Sequence, residues 1–256
     1  MQGESEIMPG ETKAEATEVS FAGSDATLRG ISFGDETGGP AVVLLPDVHG
    51  VAPLYCEIAA RFASAGLRTL LLDPYVREGA PRLADMAAVQ AWIADLPDAR
   101  VIDDVAHVVA YLRSVEGGST RRVGIAGFCL GGQLALMAAS RLGELDACVA
   151  FYGMLRHGVV TDRKLPPPVD TAADLRCPVL GLFGADDPLI PPADLEAFRS
   201  GAAKSRQAVD LRVFPGAGHA FVNDRRPDAY RPEAAREALG AAIAFFRTQL
   251  ATSAAH

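Results

Sequence analysis

The sequence predicts a single α/β domain with a mainly parallel central sheet and helices on both faces. Short apolar runs alternate with longer helical patterns along most of the 256 residues, and that alternation is the mark of parallel β–α units. The run at 41–45 is apolar at every position, as a strand buried on both faces must be. Three of the runs end at reactive side chains, and functional groups in open parallel sheets collect beyond the strands' carboxyl ends. No internal repeat, low-complexity segment or linker splits the chain.

Residues 1–17 read as a flexible tail and 18–256 as the single domain. Strands are predicted at 18–21 and 27–33, joined by Gly23-Ser24-Asp25 into an edge hairpin. Residues 35–40 are a loop. The strand 41–45 stops at Pro46-Asp47-Val48-His49-Gly50. A helix over about 53–65 ends at Gly66, and 68–72 is the next strand, leading into Asp73-Pro74-Tyr75-Val76-Arg77. Helical patterns cover 83–96, which carries Trp92, and 99–115. In the second, Val101, Val105, Val108, Val109 and Leu112 make an apolar stripe. Strand 123–128 precedes a helix at 133–141, and strand 146–152 precedes a loop at 154–170 stiffened by Pro166-Pro167-Pro168. Strand 178–183, helix 193–203, strand 209–214 and a closing helix at 233–250 complete the domain.

A net charge of −8 offers no basic stripe to neutralise phosphates, so nucleic acid is not an expected partner. No apolar run reaches membrane-spanning length. The first eighteen residues are polar and acidic rather than basic and then apolar, so the expectation is a cytoplasmic protein. The four cysteines (Cys56, Cys129, Cys148 and Cys177) have no metal-like spacing, and no metal or organic cofactor is expected.

The chemistry centres on Gly127-Phe128-Cys129-Leu130-Gly131-Gly132. Glycines two before and two after a lone nucleophile suit a sharp strand-to-helix elbow, where bulkier neighbours would meet backbone. Such an elbow puts the nucleophile at a helix N-terminus, whose free N–H groups favour developing negative charge. Further along, Asp186 or Asp187 follows one strand and His219 follows another. A thiol nucleophile needs an imidazole to take its proton and a carboxylate to orient that imidazole. The order nucleophile, acid, histidine is that of the α/β-hydrolases. His107 in a helix, His157 in a loop and the terminal His256 are weaker candidates.

With these motifs in place, the chain resembles the dienelactone hydrolases, the cysteine-nucleophile branch of the α/β-hydrolase fold, from about residue 19 to 250. The resemblance rests on the elbow, on Gly218-His219-Ala220-Phe221, and on an acid motif in which Gly184, Ile190 and Pro191 place the acid at Asp187. It implies an esterase or lactonase acting on a small molecule, as a monomer or small homo-oligomer. It also implies oxyanion donors from the Val48 and Leu130 backbone, and Asp47 beside the thiol in place of a glutamate. Tyr152 would line the pocket, Ala220 replaces a serine, and Arg77 matches the first of two arginines that hold a substrate carboxylate. Asn223 stands where the second is expected, with Arg225 and Arg226 close but out of register. The rival expectations are a broad short-chain carboxylesterase and, from another class, a non-catalytic binding protein or thiol sensor. No cysteine lies near Cys129 in sequence to resolve an oxidised thiol.

Overall fold

The structure, a computed structural model, describes residues 15–35, 39–115 and 121–251. The chain runs β1 (Ala16–Ala22), β2 (Thr27–Phe33), β3 (Ala41–Leu45), α1 (Pro53–Ser64), β4 (Arg68–Leu72), α2 (Met86–Asp95) and α3 (Asp98–Ser114). It continues through β5 (Val123–Phe128), α4 (Leu130–Arg141), β6 (Ala147–Phe151), α5 (Pro168–Thr171), a 3₁₀ turn (Ala172–Asp174), β7 (Val179–Gly184), α6 (Pro192–Ala202), β8 (Val209–Phe214) and α7 (Pro232–Gln249).

One sheet holds all eight strands in the order β1-β2-β4-β3-β5-β6-β7-β8. From β4 to β8 the pairings are parallel, and the β1–β2 hairpin adds antiparallel to β4. Every residue of β3, β4, β5, β6 and β7 is buried. Uninterrupted apolar runs fit that position because both of their faces meet helices. β8 alternates more exposed and less exposed positions, as an edge strand can.

Two glycines of β5 show how the layers are built. Side chains three residues apart on a strand point to opposite faces. A Cβ on Gly124 would lie 2.5 Å from the Phe246 ring of α7, whereas one on Gly127 would lie 2.0 Å from the Gly131 carbonyl oxygen of α4. So α7 covers one face and α4 the other. Phe62 of α1 meets Phe246 edge-on at 6.0 Å, which places α1 beside α7, while α3 packs against α4.

The boundaries differ from expectation in four places. β1 begins at Ala16, so residues 16 and 17 pair with Phe33 and Ser32 instead of belonging to a tail; residues 1–14 lie outside the described residues, as do 36–38 and His256. α2 starts at Met86, because the Asp85 side chain accepts the Ala88 N–H at 2.8 Å and caps the helix there. α4 starts at Leu130, directly after Cys129. The proline-rich loop contains α5, opened by Pro168, where the missing N–H costs nothing. A buried ion pair ties that loop to α3: Lys164 Nζ donates to Asp98 Oδ1 at 2.7 Å, and the Leu165 N–H donates to Asp98 Oδ2 at 3.1 Å.

Candidate active site

β3 and β5 lie side by side at the centre of the sheet, with connections leaving to opposite sides, and their carboxyl ends form the crevice expected at such a switch point. Cys129 sits there between β5 and α4 with φ 53° and ψ −115°. A side chain in that region of backbone space is strained and is held there by its surroundings. Small neighbours permit it. A Cβ on Gly131 would lie 2.3 Å from the Pro46 carbonyl oxygen, and one on Gly132 2.8 Å from that of Phe151. The elbow is therefore clamped between the ends of β3 and β6. The Cys129 N–H donates to the Phe151 carbonyl at 3.0 Å, and the side chain stays partly exposed.

The other two groups arrive from β7 and β8. Asp187 is 5% exposed, whereas Asp186 points to solvent. Asp187 Oδ1 accepts the Leu189 N–H at 2.9 Å, and Oδ2 lies 2.8 Å from His219 Nδ1. One carboxylate oxygen thus fixes the acid in its turn and the other fixes the imidazole. A Cβ on Gly184 would fall 2.3 Å from the Ala217 carbonyl oxygen, so glycine there lets the two loops meet. His219 Nε2 is buried and makes no regular hydrogen bond among the described residues. The group that acts on it is the Cys129 sulfur. Burial works to lower the His219 pKa, but Asp187 and Cys129 together outweigh it and push it up to about 10.

Tyr152 packs its ring edge-on to His219 at 5.2 Å and has φ 39°; Ala220 has φ 61° and is buried. Strained backbone thus occurs at three positions around the sulfur. Val48 follows β3 and is buried, and Leu130 is the first residue of α4, where backbone N–H groups lack intrahelical acceptors. Asp47 Oδ1 turns back to accept the His49 N–H at 2.9 Å. Two tyrosines that the sequence reading did not single out complete the wall. Burial first, then Tyr152 and Asp47, hold the Tyr55 phenol well above its usual pKa, with Cys129 among its neighbours. The Tyr75 hydroxyl donates to the Val48 carbonyl oxygen at 3.2 Å. An aromatic residue at the start of an apolar helix, or after a strand, gives no sequence signal beyond core packing.

Arg77 sits in an ion-pair cluster. Its guanidinium is bound on both sides: Nε donates to Asp25 at 2.9 Å, and the two terminal nitrogens donate to Asp104 at 2.8 and 3.0 Å. Asp104 is fully buried and lies on α3, so this pair fastens the segment after β4 to α3. Asn223 is likewise a turn former, with Oδ1 accepting the Arg225 N–H at 3.0 Å. Arg225 pairs with Glu57 and Asp224. Arg226 is exposed, pairs with Asp228 at 3.1 Å, and is the arginine whose charge is felt at the Tyr152 hydroxyl. Among the described residues, no group of His, Cys, Asp and Glu could hold a metal ion, and no helix is long and apolar enough to cross a membrane.

An eight-stranded, mostly parallel sheet with Cys129, Asp187 and His219 at its carboxyl ends defines an α/β-hydrolase. The description of the dienelactone hydrolase family matches residues 28–250, and the chain belongs to that family and is a hydrolase. A Bradyrhizobium sp protein named "Probable 2-oxo-3-(5-oxofuran-2-ylidene)propanoate lactonase" is 36% identical over 211 residues, covering 82% of this chain and 84% of its own. A candidate carboxymethylenebutenolidase of Escherichia coli (strain K12) is 34% identical over 197 residues, covering 76% of this chain and 72% of its own. The crystal structure of a candidate dienelactone hydrolase from Klebsiella pneumoniae subsp. pneumoniae MGH 78578 superposes with a TM-score of 0.85 at 30% identity, covering 91% of this chain and 98% of that one.

Proposed function

We propose that this hydrolase opens a lactone or cleaves a carboxylic ester through a thioester on Cys129. The observation that carries the reading is the Nδ1–Oδ2 contact of 2.8 Å between His219 and Asp187, with the opposite imidazole nitrogen facing a sulfur on a strained elbow. A protonated His219 beside Cys129 favours the thiolate, which attacks the substrate carbonyl. The carbonyl π pair moves to oxygen, and the Val48 and Leu130 N–H groups receive that charge. Collapse forms the thioester and expels an alkoxide, which takes the Nε2 proton. His219, now neutral, removes a proton from water; the resulting hydroxide attacks the thioester, and a second collapse releases the acid and restores the thiolate. Asp187 holds the tautomer throughout and stabilises the imidazolium.

The engagement of Arg77 favours neutral or weakly anionic substrates, since a carboxylate gains most from bidentate arginine contacts. Arg226, whose charge is felt at the Tyr152 hydroxyl, is the cation we assign to any negative group on the substrate. The test is single-turnover hydrolysis of a short p-nitrophenyl ester, followed by mass spectrometry of the quenched protein. The expected result is an acyl adduct on the peptide containing Cys129. Undiminished hydrolysis by Cys129→Ala would refute the mechanism.

A further inference from the structure

We infer that Tyr75 is a positioning residue for the oxyanion hole: its hydroxyl holds the Val48 arm in place from outside the β3–α1 loop. This rests on the reading above, in which the Val48 N–H is one of the two oxyanion donors.

The arm is the turn Asp47-Val48-His49-Gly50, closed by the Gly50 N–H donating to the Asp47 carbonyl at 3.0 Å. That carbonyl belongs to the same peptide unit as the Val48 N–H. Because a trans peptide sets its C=O and N–H in opposite directions, the bond to Gly50 also aims the Val48 N–H. The next peptide unit, between Val48 and His49, is held at both polar ends. Its N–H donates to Asp47 Oδ1 at 2.9 Å, and its carbonyl accepts the Tyr75 hydroxyl at 3.2 Å. The Gly50 and Asp47 bonds are internal to the turn and would survive if it swung as a unit. Tyr75 ties the turn to the segment after β4.

Tyr75 is itself fixed. Its N–H donates to Asp73 Oδ1 at 3.0 Å, and its ring stands perpendicular to Trp92 at 5.2 Å. The residue is 3% exposed. A Cβ on Gly50, where φ is +78°, would lie 3.0 Å from the tyrosine ring, so glycine at that position lets the loop settle onto it. Burial raises the phenol's pKa, which keeps it a donor across the working pH range.

The test is Tyr75→Phe, which removes one oxygen and keeps the ring. Removing an oxyanion donor outright costs about 10²–10³-fold in kcat, and loosening one should cost about 10- to 100-fold. We expect kcat on a short neutral ester to fall by that factor with KM within about twofold. Inhibition by a trifluoromethyl ketone, whose adduct with Cys129 bears an oxyanion, should weaken in parallel. Alkylation of Cys129 by iodoacetamide should keep its rate, because displacement at a saturated carbon develops no oxyanion. An unchanged kcat overturns the inference. So does a loss of alkylation matching the loss of kcat, since the hydroxyl would then act on the thiol or on folding. If Tyr75→Phe is unstable, Tyr75→Trp and Tyr75→Leu at matched melting temperature must both show the kcat and ketone losses with normal alkylation. Failure of the underlying mechanism would look different: Cys129→Ala would stay active in a wild-type Tyr75 background.

Discussion

The domain contains two buried aspartates that each sit near a histidine. Asp187 contacts His219 at 2.8 Å, and Asp98 lies 3.8 Å from His157 Nε2. His157 is the more buried, with its side chain 4% exposed against 16% for His219. In the proposed mechanism only the first pair takes part in the chemistry. His157 Nε2 is taken by the Leu165 carbonyl at 2.7 Å, and Asp98 is neutralised by Lys164 and capped by a backbone N–H. These contacts are internal to the cluster, which holds a loop against a helix. His219 is satisfied on one nitrogen only, and the other faces a sulfur. The lesson is that reactivity follows the hydrogen-bonding capacity a buried group has left over, not its burial or the presence of a carboxylate.

The largest break in this comparison is the proposed nucleophile. Cys129→Ala should reduce kcat by about 10⁴-fold or more while leaving the melting temperature near wild type, because the strained side chain contributes little to packing. Replacing the buried Cys148 or Cys177 by Ser should do the reverse, lowering the melting temperature and sparing kcat. The two aspartates then sharpen it. Asp187→Asn should cut kcat on the order of 10⁴-fold with the fold intact, and Asp186→Asn, at an exposed position, should change neither. Asp98→Asn should leave kcat alone and cost about 3–5 kcal/mol in denaturant unfolding, because Lys164 is left buried without its partner.

Two arginines extend the contrast. Arg77→Ala strands the buried Asp104, and a stability loss of about 3–5 kcal/mol is expected. KM for a carboxylated lactone should move little. Arg226→Ala should leave stability within about 0.5 kcal/mol and raise that KM by up to about tenfold, the size of one charge-assisted contact. A KM effect confined to Arg77 would return the carboxylate to that side of the crevice.

A further expected effect is one of pH. His219 is raised from 6.5 to about 10 in the folded protein, so the unfolded chain loses its proton first. The stability this group contributes is fully present below about pH 6.5 and is lost as pH rises through about 10. The melting temperature of wild type relative to His219→Gln should converge over that window. Hydrolysis of an alkyl ester, whose leaving group needs the imidazolium proton, should fall above about pH 10 while iodoacetamide labelling does not.

The sequence alone determined the strand–helix alternation, the apolar central strands and the elbow glycines. These features are local: a period, a run of one residue class, or a glycine where no Cβ fits. Resemblance to the family's acid motif, through Gly184, Ile190 and Pro191, pointed to Asp187 with Asp186 as the alternative, and in the structure Asp187 lies against His219. The tertiary structure decided what depends on a partner distant in the chain. Arg77 matched a binding arginine by position, but Asp25 and Asp104 approach it from 52 and 27 residues away and occupy it. Tyr75 carried no signal of a role in the sequence, and the fold sets its hydroxyl against Val48, 27 residues earlier. Hydrogen bonds reach about 3 Å, so no pattern within a short window of sequence shows which polar atoms the folded chain will satisfy and which it will leave free to react.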